Sequence, residues 1–292
     1  MGTSDHPDVI ERELWLALLA PRACGGARSA VKVLLQSGRH QLMALIDQLD
    51  ESERVEAESS ARRLREDGVR VLLCDDPSYP GRLRCFPGAP PTLFYRGPLE
   101  LLNAVAVGVC GARDASARGL GAAHACGEDA ARSGVTVVSG YARGVDTQSH
   151  LAALNAGGAT IAVLAEGIDH FRLKQDYRTV SGDVGQRMLV ISQFPPSQRW
   201  TAGAAMSRNH VIVGLGRALV VVEARGSGGT LKAGELALRT KRPTLVLGLT
   251  DDVPIGNQRL LAAGARQIMN REQLLDQLQQ LHVEQTPELP LG

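Results

Sequence analysis

Between residues 104 and 249, short apolar runs alternate with segments of helical character. Residues 105–110, 135–138, 160–164, 188–191, 218–222 and 243–248 are nearly continuous stretches of valine, leucine, isoleucine and alanine. Strands covered on both faces read this way, whereas a sheet with one wet face alternates apolar and polar positions. Residues 116–132, 146–156 and 230–239 carry helical patterns, the second ended by Gly157-Gly158. The pattern predicts an α/β fold with a parallel sheet and helices on both faces. Right-handed crossovers make such a unit Rossmann-like. A short helix at 256–265, a short strand at 266–268 and a last helix at 271–281, capped by Asn270, close it.

Upstream the pattern changes. Leu14, Leu16, Leu18 and Leu19 fall in a first helical segment, and Gly25-Gly26 breaks it. A second apolar segment at 31–35 stops at Ser37-Gly38. Leu42, Leu45, Ile46 and Leu49 keep helical spacing, and 52–65 is a charged helix. Several short helices joined by glycine turns predict a small all-α N-terminal module over 1–70. A connector follows over 71–103, where Pro77, Pro80, Pro87, Pro90, Pro91 and Pro98 block regular ladders and helices. Short strands are expected at 69–73 and 93–97. The expected organisation is thus a helical module, a connector, a Rossmann-like domain over 104–282 and a flexible polar tail over 283–292.

Charge and cysteine content narrow the function. The chain has 292 residues and a net charge of +1, so any affinity for nucleic acid must come from a local cluster of arginines and lysines. The five cysteines are odd in number and none sits in a C-x-x-C pair, which predicts reduced, mostly buried thiols. Residues 1–8 lack the apolar core of a signal peptide, and no apolar run reaches the roughly 18 residues of a membrane span. The expected compartment is the cytoplasm, with no membrane contact.

Four segments follow or adjoin the predicted strands. They are Gly111-Ala112-Arg113, the stretch from Ser139-Gly140 through Arg143-Gly144 to Asp146, Ser207-Arg208-Asn209-His210, and the stretch from Glu223 to Thr230. Ligands of open parallel sheets lie beyond the carboxyl ends of the strands, so four loops there can share one site. Arg113, Arg143 and Arg208 supply paired donors suited to phosphate. Glycines 111, 140, 226, 228 and 229 let backbone amides approach closely. Pairing of Arg143 or Arg208 with Asp146 or Glu223, to hold the loops together, is the competing role. Aromatic residues are only 3% of the chain. Tyr141, Phe171, Phe194 and Trp200 lie near the loops, where single-strand binding would place platforms for the bases. Core packing or loop plugging is the favoured role for each, so binding to the sugar-phosphate backbone fits better than base reading. No catalytic residue, metal site or cofactor is expected. Gly226–Lys232 lacks the Gly-Lys-Ser/Thr of a phosphate-binding ATPase loop, and His150, His170 and His210 lack zinc spacing.

Taken in order, these motifs resemble the DNA-processing protein A family, also called DprA or Smf. The resemblance runs from the lead-in around Tyr79-Pro80 and Leu93-x-Tyr95-x-Gly97, through Gly111-Ala112-Arg113, Val138–Asp146 with His150, Gly167-Ile168-Asp169, Ser192 with Pro195-Pro196, Arg208-Asn209 and Ser227-Gly228, to Asn257 and Gly264-Ala265. It departs at Ala112, Gln193, His210 and Lys232. The resemblance implies a protein that binds single-stranded DNA, protects it, and loads a RecA-type recombinase in transformation and recombination, as a homodimer. The phosphate-binding set it implies here is Gly111, Arg113, Ser139, Gly140, Arg143, Gly144, Arg208, Asn209, Ser227 and Gly228. Two alternatives share the fold. One is a nucleotide-binding sensor. The other is a nucleoside monophosphate phosphoribohydrolase similar to the LOG enzymes, since Gly228-Gly229-Thr230 and Glu235 resemble their glycine-rich loop; it would act through Glu235 or Glu223.

Overall fold

The computed structural model describes residues 6–248 and 253–283. The leader reading of the first residues rests in large part on 1–5, and the tail expected at 283–292 rests on all but Val283; both lie outside the described residues. The chain divides into two compact units: residues 1–96 with 166–170 and 191–199, and residues 97–165 with 171–190 and 200–292.

The first unit opens with helix α1 (Pro7–Ala23), α2 (Ala27–Lys32), one π-helical turn (Val33–Ser37), α3 (Gly38–Ile46) and α4 (Glu51–Glu66). Leu14, Leu16, Leu42, Ile46 and Leu64 are fully or almost fully buried and form its core. Strands β1 (Arg70–Leu73) and β2 (Thr92–Arg96) pair antiparallel, Arg70 opposite Tyr95, around the short helix α5 (Gly81–Arg84). The proline-rich segment between them cannot use a continuous ladder, so backbone turn bonds and side chains together satisfy it. Arg84 Nε donates to the Cys74 carbonyl at 2.8 Å, and the buried Tyr79 hydroxyl donates to the Pro90 carbonyl at 2.8 Å. The guanidinium of Arg63 donates to Asp169 at 2.7 Å, holding the 166–170 turn to α4.

The second unit carries β3 (Ala106–Cys110), α6 (Ala117–Arg132), β4 (Thr136–Gly140), α7 (Val145–Asn155), β5 (Thr160–Val163) and α8 (Gln175–Arg178). Strand β6 (Met188–Ser192) then takes the chain into residues of the first unit. The second unit resumes with α9 (Ala202–Leu215), β7 (Ala218–Val221), α10 (Gly229–Arg239), β8 (Thr244–Leu247), α11 (Ile255–Ala262), β9 (Arg266–Ile268) and α12 (Arg271–Gln280). Its strands run parallel in the order β5-β4-β3-β7-β8-β9. From β3 the chain proceeds outward through β4 and β5, then returns to β7 on the other side. The topological switch therefore falls between β3 and β7, where a crevice opens in doubly wound folds. Every residue of β3, β4, β5 and β7 is buried, as continuous apolar runs require. Helix ends are fixed by the expected chemistry: Ser116 Oγ accepts from the Gly119 amide at 3.0 Å, and Asn270 Oδ1 from the Gln273 amide at 2.9 Å.

One element differs from the sequence expectation. Arg208 and Asn209 are not on a loop but in the middle of α9, a helix of 14 residues capped by Thr201. Its first turns are Ala202-Gly203-Ala204-Ala205, small residues with no apolar and polar contrast, so periodicity gives no helical signal there.

Candidate nucleic-acid interface

The carboxyl end of β3 leads into Gly111–Asp114, and the end of β4 leads into the turn before α7. Gly144, at φ 80°, makes that turn, and a Cβ on it would overlap the carbonyls of Ala112 and Arg113. The Val145 amide donates to the Ala112 carbonyl at 3.3 Å and locks the two loops together. The α10 amino end joins them, since Thr230 Oγ1 donates to the Gly111 carbonyl at 3.1 Å. Asn209 Nδ2 donates to the Gly229 carbonyl at 3.1 Å and ties α9 to α10. These contacts enclose a cleft of about 570 Å³ on the second unit.

Gly111, Arg113, Arg143, Arg208, Asn209, Ser227 and Gly228 line this cleft. Ser139, Gly140 and Gly144 do not; they lie behind it and support the lining. Ser139 is fully buried, and its hydroxyl donates to the Val109 carbonyl at 2.7 Å, stitching β4 to β3. At Gly140 a Cβ would collide with the Arg208 guanidinium and the Asp146 carboxylate, so only glycine lets that pair lie against the strand end.

Arg208 is the deepest cation. Its side chain is 8% exposed, and its Nη1 lies 3.6 Å from the equally buried Asp146 carboxylate. Burial lowers its pKa from the ordinary value and the Asp146 charge opposes that; a guanidinium keeps its proton through such a shift. Its Nε–H is buried with no hydrogen-bond partner, a donor that an incoming anion can satisfy. The outer cations are arranged differently. Arg143 Nη2 lies 2.5 Å from Asp114 and Arg225 Nη2 3.4 Å from the same carboxylate. The Arg113 guanidinium sits 5.2 Å from the Trp200 ring centre. The lining thus holds Arg113, Arg143, Arg208 and Arg225 against Asp114 and Asp146, a local excess of positive charge. Helix α10 adds to it: its N-cap is Gly228, without a side-chain cap, so the helix dipole and first amides face the cleft.

Behind the lining, His150 is fully buried and burial pushes its pKa down to about 4. Its Nε2 donates to the Gly140 carbonyl at 2.7 Å, and its Nδ1 meets the Thr160 hydroxyl. It fixes the end of β4, as a buried histidine with two partners does. The Cys110 thiol, at the cleft base, is held protonated by burial, with Asp146 raising its pKa further. Cys74 and Cys126 are buried too, their pKa values pushed up to about 11 and about 12 by burial.

Sequence reasoning missed three lining residues. Trp200 is 47% exposed and Met206 39% exposed, both on the cleft rather than in packing. Arg225 stands in a segment already singled out, and its position after β7 was the available signal. Tyr141, by contrast, does pack, with ring centres 5.4 Å from Phe171 and 5.2 Å from Tyr177.

A model of the DNA recombination-mediator protein A family matches residues 70–279. The chain belongs to that family. DNA processing protein DprA of Streptococcus pneumoniae is 33% identical over 202 residues, which cover 68% of this chain and 71% of that protein. Its crystal structure superimposes with a TM-score of 0.68 at 25% identity, over 91% of this chain and 94% of the other. Protein Smf of Synechocystis is 33% identical over 215 residues, 72% of this chain and 54% of that protein, so the chain spans about half the length of this relative. A DprA structure from Helicobacter pylori, described for its single-stranded DNA binding mode, shares the fold with a TM-score of 0.61 at 23% identity over 72% of this chain and 95% of that one. The hydrolase alternative is not favoured. Glu223 is engaged as an acceptor from the Ser116 amide and hydroxyl, both at 3.0 Å, and neither it nor Glu235 lines the cleft. The described residues contain no helix long and apolar enough to cross a membrane.

Proposed function

We propose that this chain binds single-stranded DNA in the cleft at the β3/β7 switch point, protects it, and delivers it to a RecA-type recombinase. The observation that carries this reading is the convergence of Arg113, Arg143, Arg208 and Arg225 with the uncapped amino end of α10 in one cleft. Arg208 and the α10 amides would grip a phosphate at depth, while Arg143 and Arg225 would take phosphates nearer the rim. Gly111, Asn209, Ser227 and Gly228 would shape the path, and Ser139, Gly140 and Gly144 would support the lining that presents Arg208. Membership of the DNA recombination-mediator family and the description of the Helicobacter pylori relative support the same ligand. Action as a homodimer in the cytoplasm completes the proposal.

Fluorescence anisotropy with a labelled single strand and the matching duplex tests it. The single strand is expected to bind at low salt and to resist competition by excess duplex. Equal affinity for both forms, or no binding, contradicts the reading.

A further inference from the structure

The cleft is zoned, and only one zone suits phosphate. Arginines and glycine amides form one part of its lining. Trp200, Ala202, Ala205, Met206 and Ile212 form an apolar part. Tryptophan has a large apolar face and is seldom left near half exposed without a use. Here the Arg113 guanidinium lies over the 47% exposed indole, 5.2 Å from its centre, and the partly exposed Met206 thioether lines the same lobe. A planar cation on an indole marks a face open to another flat group. Nucleobases are such groups, and stacking on an aromatic side chain is tolerant of sequence because every base has a π-face. A volume of about 570 Å³ accommodates a base together with its sugar and phosphate.

We infer that Trp200 is a base-stacking platform, and that Arg113 is parked on it in the free protein and turns to an adjacent phosphate when a base takes the ring. This rests on the single-strand reading above and adds to it: the cleft holds at least one nucleobase as well as the backbone. No sequence preference follows, because stacking reads a flat surface and not a hydrogen-bonding edge.

The test compares an ordinary oligonucleotide with an abasic one of equal length and charge. Trp200→Ala is expected to weaken binding of the ordinary strand about tenfold and to leave the abasic strand unaffected. Trp200→Phe, which keeps a ring, is expected to stay within about threefold of the parent on both strands. Emission provides a second reading on a protein with an intact platform. Trp15→Phe removes the other indole, which donates to the Arg54 carbonyl on the first unit. The ordinary strand is then expected to quench the remaining Trp200 and the abasic strand to leave it bright. Equal weakening of both strands by Trp200→Ala makes Trp200 a mere loop clasp and overturns the inference, as does unchanged binding of both, or quenching by the abasic strand alone. If the parent binds neither strand, the single-strand reading itself fails and the platform with it.

Discussion

Asp114 is the residue on which the free cleft turns. A carboxylate and a phosphodiester present similar oxygens to a guanidinium, and Asp114 engages both Arg143 and Arg225. All three side chains are more than half exposed, so the pairs are weak and readily exchanged. Under the proposed function, Asp114 would occupy the outer phosphate positions until a strand displaces it. Asp114→Asn is expected to tighten single-strand binding about threefold at low salt, the gain shrinking as salt shortens the screening length to about 10 Å at 0.1 M; an anisotropy titration at two ionic strengths measures it. His150 makes a different prediction. The unfolded chain takes up its proton near pH 6.5, while the folded chain refuses it until about pH 4. The unfolded state then binds more protons in that window, so stability is complete above pH 6.5 and is lost as pH falls, by about 3 kcal/mol once the folded site also titrates. Urea midpoints measured from pH 7.5 to 4 should fall through this range, and His150→Gln should flatten the slope. The sequence offers both residue types without their surroundings. Composition carries no exposure, so the sequence favours core packing or loop plugging for Trp200, and it places Arg208 on a loop because its burial beneath Gly140 is a tertiary fact.

Among the elements, the strands were legible and the helices only partly so. β3, β4, β5 and β7 are buried on both faces, so their residues had to be apolar throughout, and that leaves a signal a single chain can carry. Helix α9 leaves none in its first turns, where alanine and glycine give no apolar stripe and Ala204 is the buried residue. Helix α6 shows how elements are held once formed. Asp129 on α6 is fully buried, and Arg271 at the start of α12 donates to both its oxygens from Nε at 2.8 Å. This pair was invisible in sequence, since the partners stand far apart along the chain. Arg271→Ala takes from the buried Asp129 a partner that is itself nearly half exposed and is expected to cost about 1 kcal/mol, read as a lower urea midpoint with single-strand binding unchanged in the folded protein. An unchanged midpoint would mean that Asp129 finds another partner.

For the whole molecule, a net charge of +1 and a cleft rich in arginine belong together. The general surface gives little attraction to a polyanion, so on the proposed function binding would depend on the few cations gathered at the sheet's switch point. That arrangement predicts a modest salt dependence set by those cations alone. The ordered motifs located the cleft from the sequence, because loops at the carboxyl ends of parallel strands must meet. They did not give its depth, its apolar lobe or the bridging of Arg143 and Arg225 through Asp114, all of which depend on side-chain directions. The decisive measurement is the slope of log affinity against log salt for a short single strand, in the parent and in the Arg143→Ala/Arg225→Ala double variant. Each phosphate contact contributes about 0.7 to the slope for single strands. The parent is expected near −2 to −3, and the double variant to be shallower by about 1.4. A double variant with the parent's slope would contradict the cleft as the site where the strand is held.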